Sequence, residues 1–173
     1  MSLTIAAMPA YNEERSIARM VLGCQKYVDR VVVVDDGSSD ATADRAASAG
    51  AHVIRHEWNA GYGAALRTCF ETAREMGADR MVVIDSDGQH DPEEIPQLLQ
   101  PLDRGVDLVI GSRFCSGNGR EIPAYRKVGM RILDIITNFL GGLSLTDTQS
   151  GFRAYGKQAK GYQEGPGADT STL

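Results

Sequence analysis

Asp85, Asp87 and Asp91 fall within the stretch "DSDGQHD", directly after the apolar residues Met81 to Ile84. On an extended chain, residues i and i+2 point the same way, so the carboxylates of Asp85 and Asp87 share a direction. Two carboxylates so placed repel unless a cation lies between them, and a hard, oxygen-loving divalent ion is the natural one. Gln89 adds a neutral carbonyl oxygen. A half-open set of this kind suits Mg2+ or Mn2+, leaving positions for water and a substrate diphosphate. The competing reading is that these aspartates only shape a loop or cap a helix. For Asp91 that reading is the better one, because Pro92 follows it and Glu94 stands three residues on. His90 adjoins the cluster and is a candidate member of the site.

Other polar groups stand at comparable places. Asp35 and Asp36 end the run "RVVVVDD". Gly37 then allows a tight turn, and Ser38, Ser39 or Asp40 are candidate helix caps. A carboxylate at Asp36 can accept a hydrogen bond from a ribose hydroxyl or a base N–H; the alternative is a purely turn-stabilising role. "NAGYGAALR" opens a helix with Gly61 and Gly63 but fits neither common phosphate-loop pattern, so it reads as close packing or a flexible loop. His52 and His56 lie on a strand pattern and read as structural or surface residues. Arg113, in "GSRF", is placed to reach an anionic substrate. Arg126, Lys127 and Arg131 form a basic patch at the start of a helix whose apolar stripe includes Val128, Ile132, Ile135, Ile136 and Phe139. That helix reads either as a core helix with solvated charges or as an interfacial helix that binds a lipid phosphate.

Strands and helices must alternate to bring these groups together. "LTIAAMP", "RVVVVDDGS", "AHVIRH", "DRMVVIDSD" and "VDLVIGSR" read as strands, with "GFRAY" a candidate last one. Between them "NEERSIARMVLGC" has Ile17, Met20, Val21 and Cys24 on one helical face. "SSDATADRAASAG" is a helix ending at Gly50, "GYGAALRTCFETAREMG" one ending at Gly77, and a further helix falls between Asp91 and Leu102. Strands that are apolar throughout are covered on both faces, so the sequence predicts an α/β fold with a mainly parallel sheet flanked by helices. Ligands of such folds sit outside the carboxyl ends of the strands. "PAYNEE", "DDGSSD", "DSDGQHD" and "GSRF" all follow strands and are predicted to gather along one sheet edge.

The bulk composition narrows the function. With 173 residues and a net charge of -5, the chain fits one domain and lacks the basic character of a nucleic-acid binder. Cys24, Cys69 and Cys115 are odd in number and far apart, which points to reduced thiols in the cytosol rather than a disulfide framework or zinc site. No leader segment and no membrane-spanning run are expected.

The ordered motifs "PAYNEE", "VVDDGSSDAT", "DSDGQHDPEEIP", "GSRF" and "DTQSGFRAY" resemble the family 2 glycosyltransferases of GT-A fold, most closely the dolichol-phosphate mannose synthase-like and polyprenyl-phosphate glycosyltransferases. The resemblance spans roughly residues 3–155, a GT-A catalytic domain. It implies inverting, metal-dependent transfer from a UDP- or GDP-sugar to a polyprenyl phosphate at the cytoplasmic membrane face. Pro9, Tyr11, Glu13, Val34 and Asp36 match positions that hold the base and ribose. Ser86 matches a position against the diphosphate, and Asp85, Asp87 and Gln89 match the metal site. Arg113 matches an arginine near the donor or acceptor phosphate. Arg126 and Arg131 lie where such enzymes handle the lipid phosphate. Asp147 lies near the catalytic base of relatives that glycosylate hydroxyls, which keeps a sugar-hydroxyl acceptor as the alternative. The pattern dissolves at Gly156, where family members continue with elements on the acceptor side. An irregular tail over 156–173, an incomplete acceptor half and an inactive nucleotide-binding remnant are the corresponding expectations.

Overall fold

The computed structural model describes residues 2–111 and 151–156. The chain runs β1 (Thr4–Ala10), α1 (Ile17–Cys24), β2 (Arg30–Asp35), α2 (Thr42–Ser48), β3 (His52–Arg55), α3 (Tyr62–Glu75) and β4 (Arg80–Val83). A 3-10 turn (Pro92–Glu94), α4 (Ile95–Leu99), a second 3-10 turn (Leu102–Arg104), β5 (Leu108–Ile110) and β6 (Arg153–Tyr155) complete the described elements.

These strands form one six-stranded sheet in the order β3-β2-β1-β4-β6-β5. The first four are parallel, with Ala6 opposite Val31, Val33 opposite Val53 and Ala6 opposite Val82. β6 runs antiparallel to both neighbours, so it is the one reversed strand among the described residues. The mainly parallel α/β sheet expected from the alternating pattern is therefore present.

Strand residues alternate between two apolar layers, as the pleat requires. Ala6, Met8, Val31, Val33, Val82, Ile84 and Ala154 pack with Ile17, Met20, Val21 and Cys24 of α1, and with Ile95 and Leu98 of α4. Ile5, Ala7, Val32, Val34, Met81, Val83 and Tyr155 pack with Ala65, Cys69, Phe70 and Ala73 of α3. Burying an Ile, Val or Met side chain fully is worth about 1.5–3 kcal/mol. Both faces of β1, β2 and β4 are lined this way, and that holds the strand ends in fixed relation. The buried stripe of α1 is the one predicted, but the helix starts at Ile17 rather than near Asn12. Asn12 has φ +56°, and residues 12–15 turn toward the loop after β2.

Candidate functional site

The carboxyl ends of β1, β2 and β4 open onto one cavity of about 420 Å³. Pro9, Tyr11, Glu13, Asp36, Asp85, Ser86 and Asp87 line it, joined by Asn59, Tyr62 and Ala65 from the start of α3. Three of the four predicted polar clusters thus meet at one edge of the sheet. The fourth begins at Gly111 and continues outside the described residues. A second cavity, about 390 Å³ and lined by Asp79, Arg80, Asp103 and Asp107, adjoins the opposite end of β4 and holds none of the strand-end motifs.

The loops after β1 and β2 are sewn together by side-chain hydrogen bonds. Asn12 N–H donates to Ser38 Oγ at 2.8 Å, and Ser39 N–H donates to Asn12 Oδ1 at 3.0 Å. Glu13 N–H donates to Thr42 Oγ1 at 2.8 Å, and Glu14 N–H donates to Asp40 Oδ2 at 3.2 Å. Ser38 and Ser39 therefore bind the first loop, and neither caps α2. Asp40 meets the cap expectation in part, accepting from Thr42 N–H at 2.9 Å in the first turn of α2. Glu13 accepts from Ser16 Oγ at 2.8 Å, which restrains its carboxylate. Gly37 turns the chain at φ +72°, and a Cβ there would sit 2.5 Å from the Trp58 carbonyl carbon. Only glycine fits that turn.

The adjacent aspartates Asp35 and Asp36 are both buried. Asp35 faces Arg55, whose Nε lies 3.2 Å from Oδ2 as an ion pair without hydrogen-bond alignment, and its Oδ1 accepts from Ser38 N–H at 3.2 Å. Asp36 faces the cavity. Its Oδ1 accepts from His56 Nδ1–H at 2.7 Å and from Ala60 N–H at 3.0 Å, and its Oδ2 accepts from Gly61 N–H at 2.8 Å. A carboxylate can only accept here, so the proton lies on Nδ1 of His56. Burial pushes the Asp36 carboxyl up, but the hydrogen bonds from His56, Ala60 and Gly61 outweigh it and hold the group below the usual aspartate range. Asp36 thus anchors the loop that starts α3, and Oδ2 keeps acceptor capacity toward the cavity. The structural role read for His56 is borne out, with a consequence that its strand position did not suggest: it orients the carboxylate at the cavity wall.

At the end of β4 the aspartates are more open. Asp87 is exposed; its Oδ1 accepts from Gln89 N–H at 2.8 Å and its Oδ2 from Gln89 Nε2–H at 2.6 Å. Ser86 is buried, and its hydroxyl donates to the Pro9 carbonyl at 2.9 Å, tying β4's end to β1. Tyr62 O–H donates to Asp85 Oδ1 at 3.4 Å. Although the Tyr62 ring is exposed, partial desolvation and then the Asp85 charge push its phenol above its ordinary pKa, while the Arg153 charge acts the other way. The phenol keeps its proton and remains a donor. Asp91 lies apart as the cap of the following turn, its Oδ1 accepting from Glu93 N–H at 3.0 Å. His90 is buried against Phe152, ring centroids 5.1 Å apart.

Hard divalent ions take oxygen ligands, and the two carboxylates of Asp85 and Asp87 on one cavity wall suit that chemistry. Among the described residues no group of three His, Cys, Asp or Glu stands ready to enclose an ion. An ion here would complete its shell from water and a bound anion, the habit of Mg2+ and Mn2+. Gln89 would join only with its amide turned to present oxygen.

The cavity does not gather every predicted residue. Val34 is fully buried in the layer beneath α3, so its side chain supports the cavity from below. Arg113, Arg126, Arg131 and Asp147 lie outside the described residues, as do Lys127 and Cys115. Asn59 and Tyr62 line the cavity without having been singled out. The available signal is an aromatic residue between two glycines at a helix start.

Comparison with known proteins fits this arrangement. Residues 5–160 match the family model described as Glycosyl transferase family 2. The UDP-N-acetylglucosamine–dolichyl-phosphate N-acetylglucosaminyltransferase of Methanococcus voltae is 37% identical, over 88% of this chain and 68% of that protein. The polyprenol monophosphomannose synthase of Mycolicibacterium smegmatis is 36% identical, over 90% and 62% respectively. Among solved structures, Mycobacterium tuberculosis glucosyl-3-phosphoglycerate synthase with Mn2+, UDP and glucosyl-3-phosphoglycerate superposes with a TM-score of 0.70 at 25% identity, over 91% of this chain and 57% of that one. This chain therefore spans about two thirds of those curated relatives and little more than half of that structure.

Proposed function

Because the chain belongs to glycosyl transferase family 2, we propose that its strand-end cavity holds a nucleotide diphosphate sugar and that the whole protein transfers the sugar, with inversion, to a polyprenyl phosphate. The observation that carries this reading is the meeting of Tyr11, Glu13, Asp36, Asp85 and Asp87 around one cavity. Relatives named for dolichyl phosphate and polyprenol acceptors support the acceptor class.

Each described residue then has a task its surroundings allow. Asp36 accepts a hydrogen bond from a ribose hydroxyl through Oδ2, while His56 keeps the carboxylate from rotating. Pro9, Tyr11 and Glu13 border the base and ribose, and Ser86 lies against the diphosphate. Asp85 and Asp87 would hold the divalent ion, Mg2+ or Mn2+, joined by Gln89 once its amide is turned; the solved structure with Mn2+ and UDP supports this choice. When bound, the ion offsets charge on the departing diphosphate. Arg113, Arg126 and Arg131 orient the acceptor phosphate through charge-assisted hydrogen bonds. A phosphate monoester whose second pKa is about 6 is already a nucleophile at pH 7, so no general base is required. The acceptor places the reaction at a membrane surface. No helix among the described residues is long and apolar enough to cross a membrane.

Transfer to a hydroxyl is the second reading. It is favoured by the solved structure's glucosyl-3-phosphoglycerate complex, and it would need Asp147 as base. A thermal-shift screen of UDP- and GDP-sugars with and without Mn2+ tests the donor site, and transfer to undecaprenyl phosphate against 3-phosphoglycerate tests the acceptor. A donor shift enhanced by Mn2+, with product on the lipid phosphate only, is expected. Silence with all donors would leave a remnant without activity. Product on phosphoglycerate alone would favour the hydroxyl reading.

A further inference from the structure

β4 and β6 pair with Val83 opposite Arg153, and the same register carried two pairs beyond the strands sets Asp85 opposite Gly151. Alternation puts residues 81, 83 and 85, together with 151, 153 and 155, on the face that α3 covers. Met81, Val83 and Tyr155 pack there, and Tyr62 at the start of α3 reaches Asp85 there. A Cβ built on Gly151 would overlap both carboxylate oxygens of Asp85 and the carbon between them. The φ of Gly151 lies outside the left-handed region, so its backbone conformation does not call for glycine. What calls for it is the Asp85 carboxylate, which occupies the space a side chain would fill.

We propose that Gly151 is a positioning residue for the cation site: its missing side chain lets the Asp85 carboxylate lie across β6, where the Tyr62 hydroxyl holds it toward the cavity. This rests on the reading of Asp85 as a cation ligand. It ties the cation corner to a residue 66 positions further along the chain, one that does not itself line the cavity. It also gives Tyr62 a task distinct from substrate contact.

The test is calorimetry of UDP binding to the full chain with and without Mn2+. Gly151→Ala should weaken Mn2+-dependent binding by about tenfold or more, as loss of a group that orients a metal ligand does. Its metal-free UDP affinity should match the wild type. Tyr62→Phe should move the same quantity in the same direction by less. Melting temperatures supply a readout that survives poor folding of the single variant. Gly151→Ala should lower the melting temperature in the wild-type chain, and should lower it little or not at all in an Asp85→Ala chain, because the overlapping group is gone. Wild-type Mn2+ dependence in Gly151→Ala, or an equal loss of melting temperature in both backgrounds, would overturn the proposal. Asp85→Ala with unchanged Mn2+ dependence would remove the cation reading itself.

Discussion

Asp36 and Asp87 are the same residue type at the same edge of one sheet, yet their surroundings differ sharply. Asp36 is buried and accepts three hydrogen bonds, from His56, Ala60 and Gly61. Asp87 is exposed, and the hydrogen bonds to it come from Gln89, two residues away. One half of the site is built into the fold, and the other waits at its surface. Under the proposed reading, Asp36 would serve the nucleotide by being structural first. Asp87, held only by a near neighbour in sequence, would remain free to adjust to an ion that arrives with its own ligands.

The largest effect that would break this contrast is at Asp36. Asp36→Ala leaves His56 Nδ1–H and Ala60 N–H without their acceptor, while Gly61 N–H keeps Asn59 Oδ1, and should cost about 3 kcal/mol of stability, read as a lower denaturation midpoint. UDP binding should fall with and without Mn2+. The pH dependence has a definite sign. Asp36 titrates lower in the folded chain than unfolded, so its contribution is complete above the unfolded pKa of about 3.9 and is lost as the pH falls through the folded value. The variant should show a flatter acid limb of stability below about pH 4. A steep limb in the variant would place the acid sensitivity elsewhere.

Next comes Asp87→Ala. Stability should stay within about 0.5 kcal/mol of wild type, as for exposed sites, while Mn2+-dependent UDP binding drops by about a hundredfold. Calorimetry on the folded variant reads both quantities. A loss of stability as large as that at Asp36 would erase the distinction between the two halves. The smallest effect belongs to Asp91→Ala, which removes the acceptor for Glu93 N–H and should cost about 1 kcal/mol of stability. Its Mn2+ dependence should be that of the wild type. If it also lost metal response, the division of "DSDGQHD" into a cation pair and a cap would be drawn in the wrong place.

Much of this site was legible because strand ends are legible. Apolar runs stop at "PAYNEE", "DDGSSD" and "DSDGQHD", and a parallel sheet sends those stops to one edge. The assignment of Asp91 to a cap needed only its neighbours. What escaped depends on contacts distant in sequence. "GFRAY" was visible as a strand, but nothing local says that it inserts between β4 and β5 in reverse. Tyr62 touches Asp85 only because α3 starts over the end of β4. Ser38 and Ser39 looked like caps because short hydroxyl side chains before a helix usually are. Here the loop holding Asn12 competes for them and wins. Val34 was placed by its motif, while the pleat decides which way its side chain faces.

The reversed strand has one further consequence. Gly111, which follows β5, donates its N–H to the carbonyl of Phe152, just before β6, at 2.8 Å. Two points 41 positions apart in the chain are thus clasped to each other. Lengthening a segment whose ends are already fixed costs only about 0.6 kcal/mol per doubling. In evolutionary terms, that clasp lets the stretch it closes change in length while every register from β3 to β4 stays as it is.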